Sequence, residues 1–332
     1  MRWSDMRPSE NVEDRGAGGG GGFGIGGIPL GGGALLLIVV VSLLFGVNPL
    51  EILGLMSGNE PAVQQQAAPA NGTTAQDPRR DFVSRVLGDT EDVWGGIFQS
   101  MGKRYTPPRL VLFRDATQSA CGVARTAVGP FYCPGDREVY LDTAFFDELR
   151  TRFGAPGDFA AAYVIAHEVG HHVQNLMGTM QQFDARASQL DTRGRNALSV
   201  RLELQADCYA GVWGAAARKR GLIDASDVEA GINAAQAVGD DRIMRRTQGV
   251  VVPDAFTHGT AEQRAKWFRT GLASGDPRSC DTFRGDRRPR RRFAHGNVPP
   301  VAYRDRPASH AASVLAGARR AAYDATERRE AS

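Results

Sequence analysis

The sequence predicts an α+β chain: a mostly helical domain with a small β-sheet, preceded by one transmembrane helix. Three observations predict it. Apolar residues recur at helical spacing in several long segments, two short runs rich in apolar residues read as strands, and one uncharged apolar run near the N-terminus approaches bilayer length.

The 332 residues are enough for one large domain or two ordinary ones, but composition is uneven along the chain. Residues 1–29 run into a glycine-rich stretch, Gly16–Gly33, that has no period and reads as a disordered lead-in. Residues 30–50 form an uncharged window of about 20 residues, the length a helix needs to cross a bilayer. The uninterrupted apolar core of this run is shorter, so a signal peptide competes with an anchor. The run begins past residue 30 and no Ala-x-Ala-like site follows directly, which favours the anchor. Arg2, Arg7 and Arg15 precede it, and no Lys or Arg follows until Arg79. That bias predicts a single-pass protein with its N-terminus in the cytoplasm and the bulk of the chain outside. Residues 51–80, polar and rich in Ala, Gln and Pro, read as a linker.

The globular domain is expected over residues 81–283. Phe82, Val83, Val86, Leu87, Val93, Trp94, Ile97 and Phe98 recur at helical spacing, and Pro107-Pro108 ends the pattern. Arg109–Phe113 and Glu138–Asp142 read as strands, with a Gly/Pro-rich loop or hairpin from Cys121 to Val139. A short helix is expected over Phe145–Phe153. A longer one, capped by Asp158, covers Ala160–Leu176. Further helices are expected over Ala197–Arg220, Val228–Val238 and Ala261–Leu272. Residues 284–332, rich in Arg and then Ala, read as a basic, largely disordered tail. A net charge of +3 gives no reason to expect a specific nucleic-acid partner.

The four cysteines, Cys121, Cys133, Cys208 and Cys280, form no Cys-x-x-Cys pair, so a cysteine metal site is not expected. An even number in a translocated domain suggests two disulfides. Of the three pairings, a local Cys121–Cys133 bridge is the simplest and leaves Cys208 with Cys280.

The chemistry concentrates at His167-Glu168-Val169-Gly170-His171. On a helix, residues four apart project from one face, so the two imidazoles can take two corners of a zinc tetrahedron. Glu168, about 100° round the helix, stands beside the metal rather than on it, where a base takes a proton from metal-bound water. Gly170 leaves room for substrate or another backbone. His172 faces elsewhere and reads as structural. A catalytic zinc needs a third protein ligand. His258 is one candidate; His295 and His310 lie in the tail. Glu203 on the following long helix is another, with Asp207 one turn on, able to accept the outer N–H of a ligand histidine.

The segments His167–Gln174, Glu203–Gly211 and Thr257–Arg264 resemble, in order, the bacterial putative neutral zinc metallopeptidases, over about Asp81–Arg284. The resemblance implies a zincin-like domain behind a membrane segment and zinc as cofactor. It also implies Glu203 as third ligand, Asp207 as its companion, His258 stabilising the reaction oxyanion and Arg264 supporting that site. The expected activity is zinc-dependent cleavage of a protein or peptide substrate, with residues 30–50 in the bilayer. Substrate contacts are expected at a sheet edge around Val139–Leu141.

Overall fold

The computed structural model describes residues 1–17 and 77–284; the expected transmembrane run, most of the linker and the tail beyond Arg284 lie outside the described residues. Six strands and eight α-helices are found among the described residues. The strands are β1 (Val12–Ala17), β2 (Arg109–Arg114), β3 (Ala116–Ser119), β4 (Gly122–Arg125), β5 (Phe131–Cys133) and β6 (Glu138–Asp142). The helices are α1 (Pro78–Ser100), α2 (Phe145–Thr151), α3 (Asp158–Leu176), α4 (Thr179–Ala187), α5 (Thr192–Lys219), α6 (Ala225–Ala237), α7 (Asp240–Gln248) and α8 (Ala261–Ser274).

The main sheet has the order β1-β2-β6-β5, with β1, β2 and β6 parallel and β5 antiparallel to β6. Leu110–Phe113 is an unbroken apolar run because β2 is covered on both faces. Leu110 and Leu112 join the main helical core, while Val111 and Phe113 pack with Ala124, Cys133 and Tyr140 on the other face. The β3–β4 hairpin supplies that second cover. Both disulfides form as expected, Cys121–Cys133 and Cys208–Cys280. The first ties the hairpin to strand β5.

On the helical side, α1 buries Phe82, Val83, Val86, Leu87, Trp94 and Phe98, the stripe its periodicity predicts. Helices α5 and α8 cross backbone to backbone. A Cβ on Gly211 would lie 2.1 Å from the Phe268 carbonyl oxygen, and one on Gly271 would lie 1.9 Å from that of Cys208. Only glycine permits this approach. Helix boundaries differ modestly from expectation. Asp191, rather than a residue near Ala197, caps α5; Asp224, one of the two residues expected to cap α6 with Ser226 the other, does so through a capping box with Asp227. Asp158 lies inside the first turn of α3, not at its cap, and accepts a hydrogen bond from Trp3 Nε1 at 3.0 Å. Helices α4 and α7 were not expected.

The largest correction concerns the N-terminus. Residues 1–17 are not a disordered lead-in. Met6 and Val12 are buried in the main core, Arg2 N–H donates to the Leu222 carbonyl, and Ser9 and Ser84 exchange two hydrogen bonds. Arg7 pairs with Glu91 and Asp92, and β1 lies in register with β2, Val12 opposite Leu110. The domain expected over 81–283 therefore also includes residues 1–17 and starts its first helix at Pro78. The expected topology is corrected with it. A strand cannot lie across a bilayer from its hydrogen-bonded neighbour, so the N-terminus and the domain share one side. The two flanks of residues 18–76 also converge: Ala17 is in register with Arg114, whose guanidinium lies 3.7 Å from the Asp77 carboxylate. No helix among the described residues is long and apolar enough to cross a membrane.

Candidate metal centre

Helices α3 and α5 build the site. Gly157, with φ of 109°, turns the chain into α3, and sixteen of the nineteen residues of that helix are buried. His167 and His171 sit one turn apart on it, and Glu203 and Asp207 one turn apart on α5. Gly170 brings the two helices together: a Cβ there would lie 3.0 Å from the Ala206 carbonyl oxygen. The room left by Gly170 is thus used by a neighbouring helix backbone.

The approach converges three donor residues. His167 Nε2 lies 3.2 Å from Glu203 Oε2, and His171 Nε2 lies 3.5 Å from Glu203 Oε1. One ligand atom from each of His167, His171 and Glu203 falls within 4.8 Å of the others, a group placed to hold a metal ion. Both rings are held from behind. His167 Nδ1 lies 2.9 Å from Asp207 Oδ1, and His171 Nδ1 lies 2.9 Å from Gln174 Oε1. A carboxylate and an amide oxygen accept only, so each Nδ1 carries the proton and each Nε2 turns its lone pair towards the metal position. Two neutral imidazole nitrogens and a carboxylate oxygen suit zinc.

Asp207 is wholly buried and also accepts from the Tyr163 hydroxyl and, at 2.9 Å on each oxygen, from Arg264. The guanidinium of Arg264 further donates to the Val238 carbonyl. Burial alone would raise the Asp207 pKa, but Arg264 and His167 outweigh it and hold the carboxyl at about 2. Burial would lower the His167 pKa, yet Asp207 and Glu203 raise it to about 10 in the metal-free protein. Burial also opposes ionisation of Glu203, and the facing histidines pull it well below the usual carboxylate range.

Glu168 lines the same cavity as these residues, and its carboxylate enters none of the described side-chain hydrogen bonds or ion pairs. His258 also lines the cavity, but it is not one of the three grouped donors. Its Nδ1 lies 3.2 Å from Asp240 Oδ1, and its side chain is 40% exposed. Asp240, at the start of α7 and wholly buried, also accepts the backbone N–H of Thr257, His258 and Gly259 at 2.8, 2.7 and 2.9 Å. Burial disfavours the charged imidazolium, whereas Glu203 and Asp240 raise the His258 pKa above its ordinary value. Asp240, Tyr163 and Gln174 had not been singled out in the sequence. The only local signal for Asp240 is the Gly239-Asp-Asp run, a helix-start pattern.

The cavity measures about 340 Å³, and its remaining wall is largely apolar: Phe131, Phe145, Phe153, Val164, Met180, Leu202 and Ile243. The sheet edge beside it is β5, not Val139–Leu141, because β6 lies inside the sheet between β2 and β5. His172 is structural as expected: buried, it meets the Tyr132 hydroxyl and the Thr106 carbonyl, and burial lowers its pKa to about 4.

Comparison with known proteins adds to this geometry. Residues 1–283 match the family described as putative neutral zinc metallopeptidase. The chain is 48% identical over 290 residues to Uncharacterized protein YpfJ of Escherichia coli (strain K12), covering 85% of this chain and 99% of that protein. It is 42% identical over 257 residues to Uncharacterized protein Rv2575 of Mycobacterium tuberculosis (strain ATCC 25618 / H37Rv), covering 73% of this chain and 85% of that one. No solved structure matches the chain.

Proposed function

The chain belongs to the putative neutral zinc metallopeptidase family, and on that premise we propose that it is an endopeptidase with His167, His171 and Glu203 as its zinc ligands and Glu168 as its base. The observation that carries this reading is the convergence of two tautomer-fixed imidazoles and one carboxylate beside a glutamate with no other described partner. Zinc, which these three residues would hold, would supply Lewis acidity and make a bound water more acidic. Glu168 removes the proton from the attacking water and returns it to the leaving amine. His258, whose doubly protonated form Glu203 and Asp240 favour, keeps Nδ1–H on Asp240 and donates Nε2–H to the oxyanion that develops on the substrate carbonyl. The outer edge of β5 can pair with an extended peptide, and the apolar wall suits a bulky apolar side chain next to the scissile bond.

Two disulfides fit an oxidising, extracytoplasmic compartment.

The test is incubation of the purified full chain with an unstructured protein, with and without chelator. Cleavage that stops with chelator and returns with added zinc supports the proposal, as does severe zinc loss in Glu203→Ala. A zinc-loaded protein that cleaves no peptide bond refutes peptidase activity and leaves a binding domain or a hydrolase of another amide.

A further inference from the structure

We propose that Gln205 is a positioning residue for the zinc site. It acts through Gln174 on the His171 imidazole, and the Cys208–Cys280 disulfide secures the far end of this strut. The proposal rests on reading His171 as a zinc ligand.

The direction of the strut follows from two backbone carbonyls, which can only accept. Gln174 Nε2 lies 2.7 Å from the Leu202 carbonyl oxygen, so the amide nitrogen is on that side and Oε1 faces His171 Nδ1. The second Nε2 proton of Gln174 goes to Gln205 Oε1 at 3.1 Å. Gln205 Nε2 in turn donates to the Cys280 carbonyl at 3.0 Å. Every link has one allowed polarity, and its end result is a protonated Nδ1 and a free Nε2 on His171. Gln174 is wholly buried, so water is a poor substitute there, and Gln205 is 7% exposed.

The far end needs an anchor. Cys280 follows α8 and the short turn Pro277–Ser279, near the end of the described residues. Its bond to Cys208 returns it to α5, within one turn of Gln205. Ligand Glu203, strut residue Gln205 and anchor Cys208 thus lie on one helix, so they move together.

The two ligand histidines are supported in different ways. His167 leans on a carboxylate whose charge Arg264 balances. His171 leans on neutral amides, which fix its tautomer without adding a second buried negative charge beside Glu203. A merely space-filling Gln205 would affect stability without a selective effect on the metal.

The experiment compares zinc affinity by chelator competition, the visible spectrum of the cobalt-substituted protein and thermal stability. Gln205→Met keeps the volume and removes both hydrogen bonds. Its zinc affinity should fall about tenfold or more, with an altered cobalt spectrum. The double variant Cys208→Ala/Cys280→Ala releases the anchor and should weaken zinc with Gln205 intact. Trp213→Phe, on the same helix as Gln205, is the control: it removes a buried hydrogen bond to Asp89 of α1 and should leave zinc affinity unchanged. Wild-type affinity and spectrum in Gln205→Met, or an equal loss in Trp213→Phe, would overturn the proposal. Unchanged zinc binding in His171→Ala would instead refute the ligand reading beneath it.

Discussion

Asp207→Asn tests the support behind the metal site while almost preserving shape. Asp207 is wholly buried and takes four donors on two oxygens: Tyr163, His167 and two nitrogens of Arg264. An asparagine offers one oxygen and an NH2 group, so some of these donors must face another donor. The guanidinium also loses its counter-charge in a place water does not reach. Breaking a buried ion pair by removing one partner costs about 3–5 kcal/mol. In a domain of this size each kcal/mol moves Tm by roughly 2–4 °C, so zinc-free Asp207→Asn should melt lower by roughly 6–20 °C. Because His167 loses its tautomer control, zinc affinity should also fall by about 10- to 100-fold. Thermal unfolding in chelator and competition for zinc measure the two effects separately. A Tm within about 2 °C of wild type, with zinc binding unchanged, would refute the argument that this carboxylate holds both partners.

Three further outcomes are expected. Metal-free protein should lose stability in acid. Asp207, held at about 2, contributes fully above its ordinary pKa near 4 and loses that contribution as pH falls towards 2; the shift corresponds to about 2–3 kcal/mol, read from denaturation at stepped pH. His258→Ala should keep zinc and lower kcat by about 10²-fold or more, and Asp240→Asn should lower it less; equal zinc content with wild-type kcat would remove the oxyanion role. Glu10→Cys and Arg104→Cys, both at exposed positions, should react alike with an impermeant maleimide in intact and in permeabilised cells. Labelling of one alone before permeabilisation would contradict the placement of β1 in the sheet.

What could be read in advance depended on how local its cause was. Helices α1, α3, α5 and α8 carry apolar stripes of the right period, and the His-Glu-x-x-His spacing places two candidate ligands by helix geometry alone. Strand β1 offered no such signal. Val12 is its main core residue, and it is a strand because β2 lies 98 positions away to receive it. Helix α7 buries only Asp240 and Met244, so its sequence, Asp-Asp-Arg-Ile-Met-Arg-Arg-Thr-Gln, carries no apolar stripe to announce it. The same non-locality hid Asp240 and Gln205. Each matters through a partner, His258 or Cys280, that adjacent residues do not announce. Even the sheet edge was misplaced, since which of β5 and β6 lies outermost is a matter of strand order rather than of residue type.

The role proposed for Glu168, as base beside a metal held by His167, His171 and Glu203, is open to one direct measurement. Glu168→Gln preserves size and removes the basic carboxylate. Zinc content and peptide cleavage measured on the same preparation decide the matter. The predicted result is wild-type zinc with cleavage reduced by about 10²–10⁴-fold. Undiminished cleavage by zinc-loaded Glu168→Gln would contradict that role.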